Sequence, residues 1–177
     1  TGLLEARFVA GDPEWAGSFL KTDLPSFFKR AGRPFVEAKV QEAMERHRRQ
    51  GVSVYHTQPN LKNHPGAMRD FQLALWIDRA CQLSGHLPRL ASQPLVSESD
   101  ITEASRGYVQ VLTFRQALHI LCGRKQDVLD HQMQQKLAKE LGYLSGDELR
   151  PSERLLKDYF QAGTAIHRLT DKVIRRY

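Results

Sequence analysis

The chain has 177 residues, a length that suits one domain, and 41% of these residues are hydrophobic and 26% are charged. This composition is typical of folded globular proteins and excludes an intrinsically disordered chain. The formal net charge of +6 at pH 7 favours an acidic partner: a nucleotide, a nucleic acid or an acidic protein surface. No apolar run approaches the roughly 20 residues of a membrane helix and no secretion signal is present, so we predict a cytoplasmic protein without a membrane partner.

Two helices are predicted in the first fifty residues. Asp12 followed by Pro13 is typical of an N-cap and a first helical position, and this helix should reach about Lys21. The motif Gly32-Arg33-Pro34 predicts a break, because proline lacks a backbone donor. Apolar residues then recur at helical spacing over residues 35–50, which predicts an amphipathic helix.

Residues 52–58 have the β-branched and aromatic composition of a short strand, which ends at Pro59. A single strand cannot satisfy its own backbone N–H and C=O groups. We therefore expect it to be one edge of a sheet that lies largely outside this sequence. Because the chain also starts at Thr1 and not at a methionine, we expect it to be a piece of a longer polypeptide.

Four more helices are predicted beyond this strand. The first is predicted over residues 68 to about 83 and is followed by a loop over residues 85–94. The second is capped by Ser99 or Asp100 and ends at Gly123. The third spans residues 132–141 after an Asp130 cap, and the fourth begins at residue 151 and continues to the C-terminus. The last helix carries an apolar stripe of Leu155, Tyr159, Ile166, Leu169, Val173 and Tyr177. Short connections favour an antiparallel helical bundle, so the predicted fold class is mainly α, with one short edge strand.

The segment from Gln58 to Asp70 combines a strand end, a polar loop and a helix start, and such a junction can bind phosphate. Lys62 and Arg69 can neutralise phosphate charge, Gly66 permits close backbone approach, and the first amides of the helix can face an anion. An ordinary surface loop is the alternative. The chain has no P-loop and no dinucleotide-binding glycine pattern.

Several short motifs resemble one family in their order and spacing over nearly the whole chain. They are Thr1-Gly-Leu-Leu-Glu-Ala-Arg7, Gly11-Asp12, Arg46-His47-Arg48, Pro59-Asn60-Leu61-Lys62, Pro65-Gly66-Ala67-Met68-Arg69-Asp70, Phe114-Arg115-Gln116-Ala117-Leu118-His119, Asp130-His131-Gln132, Leu141-Gly142-Tyr143 and Lys157-Asp158-Tyr159-Phe160. The sequence thus resembles the protein-PII uridylyltransferase/uridylyl-removing enzymes, the nitrogen sensors of bacteria.

The resemblance implies two regions within a larger enzyme. Residues 1–60 would be the C-terminal part of a nucleotidyltransferase-like region, and residues 61–177 a helical bundle associated with uridylyl transfer. The reaction would move UMP from UTP to a tyrosine of a PII-type signalling protein. The magnesium ions would be held by an upstream domain and the hydrolytic site would lie downstream, so that neither active site is complete in this chain.

The resemblance also implies roles for individual residues. Asn60, Lys62, Arg69 and Asp70 would lie on the wall that faces the nucleoside triphosphate and the acceptor tyrosine, with Lys62 and Arg69 contacting phosphates. Asp70 has an alternative structural role, in which it orients Arg69 or caps its helix.

Arg115 and His119 are interpreted as residues that support the site. Arg115 falls on the apolar stripe of its helix, four residues before His119, so its charge should need a partner, for which Asp70 is the candidate. Alternatively, the Arg115 side chain extends to water along its aliphatic stem.

Gln58 is a departure from the family, which usually has an acidic residue before this proline that could supply a third metal carboxylate. An amide supplies no negative charge, so a regulatory or docking module in a degenerate relative is an alternative function. No metal site is predicted: His56 and His64 flank the loop but lack a third ligand. Nucleic-acid binding through the basic residues 46–49 is a further, less favoured alternative.

Overall fold

Helices make up most of the protein, as predicted. A computed structural model describes residues 5–82, 95–145 and 148–176, so the predicted loop 85–94 lies outside the described residues. Its helices are α1 (Pro13–Ser18), α2 (Leu24–Gln50), α3 (Met68–Gln82), α4 (Glu98–Cys122), α5 (His131–Glu140) and α6 (Pro151–Arg176), and a π-helical turn, Phe19–Asp23, joins α1 to α2. None of these described helices has the length and apolarity needed to cross a membrane.

The predicted break at Gly32-Arg33-Pro34 is wrong, because α2 continues through Pro34. A proline inside a helix removes one hydrogen bond, so packing must compensate for it. Gly32 provides close packing here: a Cβ atom at this position would lie 2.8 Å from the carbonyl oxygen of Ala80 in α3. The absence of a side chain therefore lets α2 and α3 approach each other next to the proline.

The predicted strand over residues 52–58 is also wrong, since the described part of the chain contains no strand. The only pairing of β type in that part is an isolated antiparallel bridge between Asn60 and Val128. Two of these residues contact α6 instead: Val54 is buried beside Gly163, and the Tyr55 ring meets the Phe160 ring edge-on at 5.4 Å. Strand composition alone did not produce a strand, because ladder hydrogen bonds need an extended partner.

The helix starts follow local chemistry. Asp130 caps α5 through the Met133 amide and Pro151 opens α6, both as predicted. The cap of α4 is Ser97 and not Ser99 or Asp100; Asp100 is the third residue of a capping box, in which it accepts a hydrogen bond from the Ser97 amide.

Helix α6 lies at the centre of the core and packs against α3, α4 and α5. Its predicted apolar stripe is confirmed within the described residues, because Leu155, Tyr159, Ile166, Leu169 and Val173 are all fully buried. The antiparallel order of the bundle stays a prediction. This central helix forms the base on which the loop between α2 and α3 rests.

Candidate functional site

The loop between α2 and α3 is held in shape by the side chain of Asn60. Its Oδ1 atom accepts hydrogen bonds from the amides of Lys62 at 3.0 Å and Asn63 at 2.9 Å. The backbone amide of Asn60 donates to Nδ1 of His64 at 2.8 Å. The two bonds to Oδ1 form an Asx turn, which the chain uses to reverse direction. Asn60 therefore shapes the loop from within.

His64 is buried inside the same loop and accepts the Asn60 amide at Nδ1. Burial lowers the pKa of His64, and an accepting Nδ1 atom requires the neutral ring. The His56 ring lies 4.7 Å from the His64 ring, centroid to centroid. Among the described residues, no group of three or more His, Cys, Asp or Glu side chains could hold a metal ion.

The loop is also bound to the connection between α4 and α5. The Leu61 amide donates to the carbonyl of Asp127 at 2.8 Å, and the Leu129 amide donates to the carbonyl of Pro59 at 2.9 Å. These two bonds form the bridge between Asn60 and Val128. The backbone that carries Lys62 is thus fixed on both sides of the turn.

The first amides of α3 are occupied by the loop itself. The Met68 amide donates to the carbonyl of Leu61 and the Arg69 amide to the carbonyl of Lys62, while the Gly66 amide donates to Oδ2 of Asp70 at 2.8 Å. The prediction that these groups face an anion is therefore wrong. Any anion at this junction must be held by side chains.

Asp70 is fully buried at the start of α3, on the side of the loop that faces the core. Its Oδ1 atom accepts a hydrogen bond from Arg46 at 2.6 Å and lies 2.8 Å from Nε2 of His47. Both partners belong to the last turns of α2. Asp70 therefore connects α2, the loop and α3, and it does not line the cleft described next.

Lys62, Arg69 and Arg115 line one cleft of about 310 Å³, together with Glu5, Met68, Gln72 and Trp76. The Lys62 ammonium and the Arg69 guanidinium form no ion pair within the described ranges. Arg69 instead lies over the Trp76 ring, 5.8 Å from its centroid. The cleft thus holds positive charge that the described protein neutralises only in part.

The charges in the cleft affect one another. Burial, followed by repulsion from Lys125 and Arg69, lowers the pKa of Lys62. An anion between these groups would relieve the repulsion and restore the protonated state. Cationic clefts of this kind concentrate anionic ligands, because their field lines converge.

The partner of Arg115 is Asp127, and the predicted pairing with Asp70 is wrong. The Nε atom of Arg115 donates to Oδ1 of Asp127 at 2.7 Å, and Nε2 of His119 lies 3.2 Å from the same oxygen. Burial opposes ionisation of Asp127, but the bonds from Arg115 and His119 outweigh it and lower the pKa of Asp127. The sequence reasoning missed Asp127; the available signal was an acid in the short loop that follows the Arg115 helix.

Gln58 is exposed and is not among the residues that line the cleft. The backbone amide of Gln58 donates to Nδ1 of His56 at 3.2 Å. Glu5 and Trp76 do line the cleft and were missed by sequence reasoning; they are joined by a 3.0 Å hydrogen bond from the Trp76 indole to the Glu5 carboxylate. Their separation of 71 residues in the sequence left no local signal for this contact.

The family model described as GlnD PII-uridylyltransferase matches residues 34–174. The chain belongs to the PII-uridylyltransferase family. A bifunctional uridylyltransferase/uridylyl-removing enzyme of Cupriavidus metallidurans is 34% identical over 174 residues, which are 98% of this chain and 20% of the relative. The enzyme of the same description from Burkholderia mallei is 33% identical over 175 residues, 99% of this chain and 20% of the relative.

The chain therefore spans about a fifth of the length of the curated PII-uridylyltransferase relatives that it matches. No solved structure matches it. The family match covers α3 to α5, the loop with Asn60 and Lys62, and nearly all of α6. It thus includes Lys62, Arg69, Arg115 and Asp127, but not Glu5.

Proposed function

We propose that this chain is the helical part of a PII-uridylyltransferase and that its cationic cleft binds the phosphates of UTP. The observation that carries the proposal is the convergence of Lys62, Arg69 and Arg115 on one cleft, where Lys62 and Arg69 form no ion pair with a described residue. A triphosphate carries the negative charge that such a cleft lacks. The relatives' names supply the reaction class: uridylyl transfer.

In this proposal the residues of the cleft act by orientation and charge. Lys62 and Arg69 neutralise phosphate oxygens of UTP, and the rigid loop keeps them in place while UMP moves to the tyrosine hydroxyl of a PII-type protein. Asn60 and Asp70 contribute indirectly, because both are used inside the loop and its base. The surface around the cleft helps to receive the acceptor protein.

Magnesium ions would neutralise the triphosphate, and we propose that carboxylates outside this chain hold them. The described residues offer no cluster of three potential ligands, and the residues that line the cleft include only one carboxylate, that of Glu5. The contribution of this chain is the positioning of phosphate oxygens by Lys62 and Arg69.

Calorimetric titration of the purified chain with UTP and magnesium tests the proposal, with ATP titrated in parallel to reveal any base preference. We expect saturable binding that weakens about tenfold in Lys62→Ala and in Arg69→Ala, since each change removes a charge-assisted contact. Lys136→Ala is the matched control, because this exposed lysine of α5 does not line the cleft. Absence of saturable binding, or equal losses in all three variants, would contradict the proposal.

A second candidate function is a regulatory or docking module without catalytic chemistry, and it is favoured by Gln58, an amide at a position where the resemblance implies a carboxylate. This alternative predicts that the full-length polypeptide does not transfer UMP with UTP and magnesium. It also predicts that Gln58→Glu restores transfer if the missing carboxylate is the cause. Transfer by the wild type would reject this alternative.

Nucleic-acid binding through residues 46–49 has less support. Arg46 and His47 contact the buried Asp70, and Arg48 and Arg49 both pair with Glu45. A gel shift at low salt that changes in Arg48→Ala would support this reading.

A further inference from the structure

Asp127 is the one acidic side chain shown to pair with a cation of the cleft in the described part of the chain. It lies in the connection between α4 and α5, between the family motif that ends at His119 and the one that begins at Asp130. Its side chain contacts Arg115 and His119 of α4, and its carbonyl accepts the amide of Leu61. One residue therefore touches both the loop that carries Lys62 and the helix that carries Arg115.

The geometry of the Arg115 contact matters because a guanidinium group has three nitrogen atoms. Oδ1 of Asp127 accepts a hydrogen bond from Nε at 2.7 Å. Nε is the guanidinium nitrogen bonded to the rest of the side chain. The hydrogen bond to Asp127 is made through Nε, and Arg115 lines the cleft. A planar guanidinium held at Nε has a fixed orientation, so its terminal N–H groups are preorganised for an anion.

The backbone contact acts on the other side of the cleft. The bond from the Leu61 amide to the Asp127 carbonyl is 2.8 Å long and lies immediately before Lys62. The Asn60 turn begins at the same bridge, because Asn60 is one of the two residues that form it. Movement of the Asp127 segment would therefore displace Lys62 and Arg115 together.

We propose that Asp127 is a positioning residue that sets the separation and orientation of Arg115 and Lys62 for a phosphate chain. The inference rests on the proposed function, since it assumes that the cleft binds UTP. This positioning role predicts that removing the Asp127 charge weakens UTP binding, which is opposite to what the charge alone predicts. Removing a negative charge beside a cationic cleft should strengthen anion binding by Coulomb attraction, whereas loss of a positioning contact should weaken it.

The test is calorimetric titration of Asp127→Asn with UTP and magnesium. We expect binding about fivefold to tenfold weaker than in the wild type, because the oriented charge-assisted contact of Arg115 is lost. Asp130→Asn is the matched control: it removes the same charge three residues away, and asparagine also caps a helix. Binding of UTP by Asp127→Asn that is unchanged or tighter would overturn the inference.

A double-mutant cycle separates positioning from general structural support. If Asp127 acts through Arg115, the variant Asp127→Asn/Arg115→Ala should bind UTP as weakly as Arg115→Ala alone. Additive losses would overturn the inference, because they would mean that the two residues act independently. Thermal melting of each variant checks that the fold is retained.

Arg115→Lys provides a second route if Asp127→Asn does not fold. Lysine keeps the positive charge but has one nitrogen, so it cannot pair with Asp127 and present two further nitrogens in a fixed plane. We expect about a fivefold loss of UTP binding, and wild-type affinity would overturn the inference. Absence of UTP binding in the wild type would overturn the proposed function as well, whereas Lys62-dependent binding that ignores Asp127 would overturn the positioning role alone.

Discussion

Arg46 at the end of α2 and Asp70 at the start of α3 are joined by a hydrogen bond of 2.6 Å, and the Asp70 side chain is fully buried. The second oxygen of Asp70 accepts the Gly66 amide. A buried carboxylate is tolerated only when it is paired and hydrogen-bonded. Asp70 meets both conditions, and it does so by connecting two helices with the loop between them.

Asp70→Ala should therefore destabilise the protein strongly. The change leaves the Arg46 charge and the Gly66 amide without their partner, and we expect a loss of about 3–5 kcal/mol in the free energy of unfolding. Urea denaturation monitored by circular dichroism measures this loss. Glu45→Ala is the control, because Glu45 pairs with Arg48 and Arg49 at the surface and should change stability by less than about 1 kcal/mol. Equal effects of the two substitutions would contradict the assignment.

Gly66→Ala tests the close packing of the loop on α6. Gly66 has φ of +72°, and a Cβ atom there would lie 2.2 Å from the carbonyl oxygen of Gly163. Gly142 has a nearly equal φ of +74° with nothing within 4 Å of a Cβ atom. We expect Gly142→Ala to cost about 1 kcal/mol from backbone conformation alone, and Gly66→Ala about 3 kcal/mol or more. Equal decreases in the urea midpoints of the two variants would contradict a role for the close packing of Gly66 on Gly163.

Asp100 should make stability depend on pH in the acid range. Burial opposes its ionisation, but hydrogen bonds from Lys172 and Ser97 outweigh it and lower the pKa of Asp100 from 3.8 to about 2. A lowered folded pKa stabilises the protein above the unfolded pKa, and this stabilisation is lost as the pH falls from about 4 to about 2. The shift corresponds to about 2 kcal/mol.

The measurement compares the wild type with Asp100→Asn by urea denaturation between pH 7 and pH 2. The difference in unfolding free energy should be about 2 kcal/mol at pH 7 and should shrink below pH 4. Asp171→Asn is the control, since Asp171 forms an exposed pair with Arg175. A difference that stays constant down to pH 2 would contradict the prediction.

Tyr159→Phe should leave stability within about 0.5 kcal/mol of the wild type or raise it. The Tyr159 side chain is fully buried and its hydroxyl has no hydrogen-bond partner among the described residues. Burial, and then the Asp70 charge, raise the pKa of Tyr159. Removing the hydroxyl therefore removes a desolvated group and keeps the ring that fills the core.

Tyr143→Phe is the companion variant, because the Tyr143 hydroxyl donates to Asp158 at 2.7 Å. Its loss should cost about 1 kcal/mol. Thermal unfolding of both variants gives the comparison. A larger loss in Tyr159→Phe than in Tyr143→Phe would mean that the Tyr159 hydroxyl has a partner, such as a buried water molecule.

Sequence reasoning succeeded where the signal is local. The Asp130 cap, the Pro151 start of α6 and the apolar stripe from Leu155 to Val173 depend on residues within a few turns of one another. The helical spacing that defined this stripe is a property of one helix, whatever surrounds it. Lys62 and Arg69 were singled out on the same local basis, from their places around a turn, and their contact with phosphate stays a prediction.

The wrong predictions concern contacts between segments that are distant in the sequence. Composition predicted a strand over residues 52–58, but a strand requires a partner, and Val54 and Tyr55 of this segment contact α6 instead. Pro34 indicated a break, but the close approach of Gly32 to α3 supports a continuous α2. The predicted partner of Arg115 was wrong, because the fold brings Asp127 and not Asp70 to the Arg115 guanidinium.

The hydroxyl of Thr170 in α6 donates to the carbonyl of Asp70 at 3.0 Å, across 100 residues of chain. Gly163 meets Gly66 in the same region. Contacts of such sequence separation form late, because a long stretch of chain must be ordered before they can stabilise anything. During synthesis, at about 5–20 residues per second, the loop that carries Lys62 leaves the ribosome seconds before the helix that supports it. We therefore expect the cleft to form only after α6 has emerged, and a nascent chain that stops short of α6 to have the cations without their arrangement around the cleft.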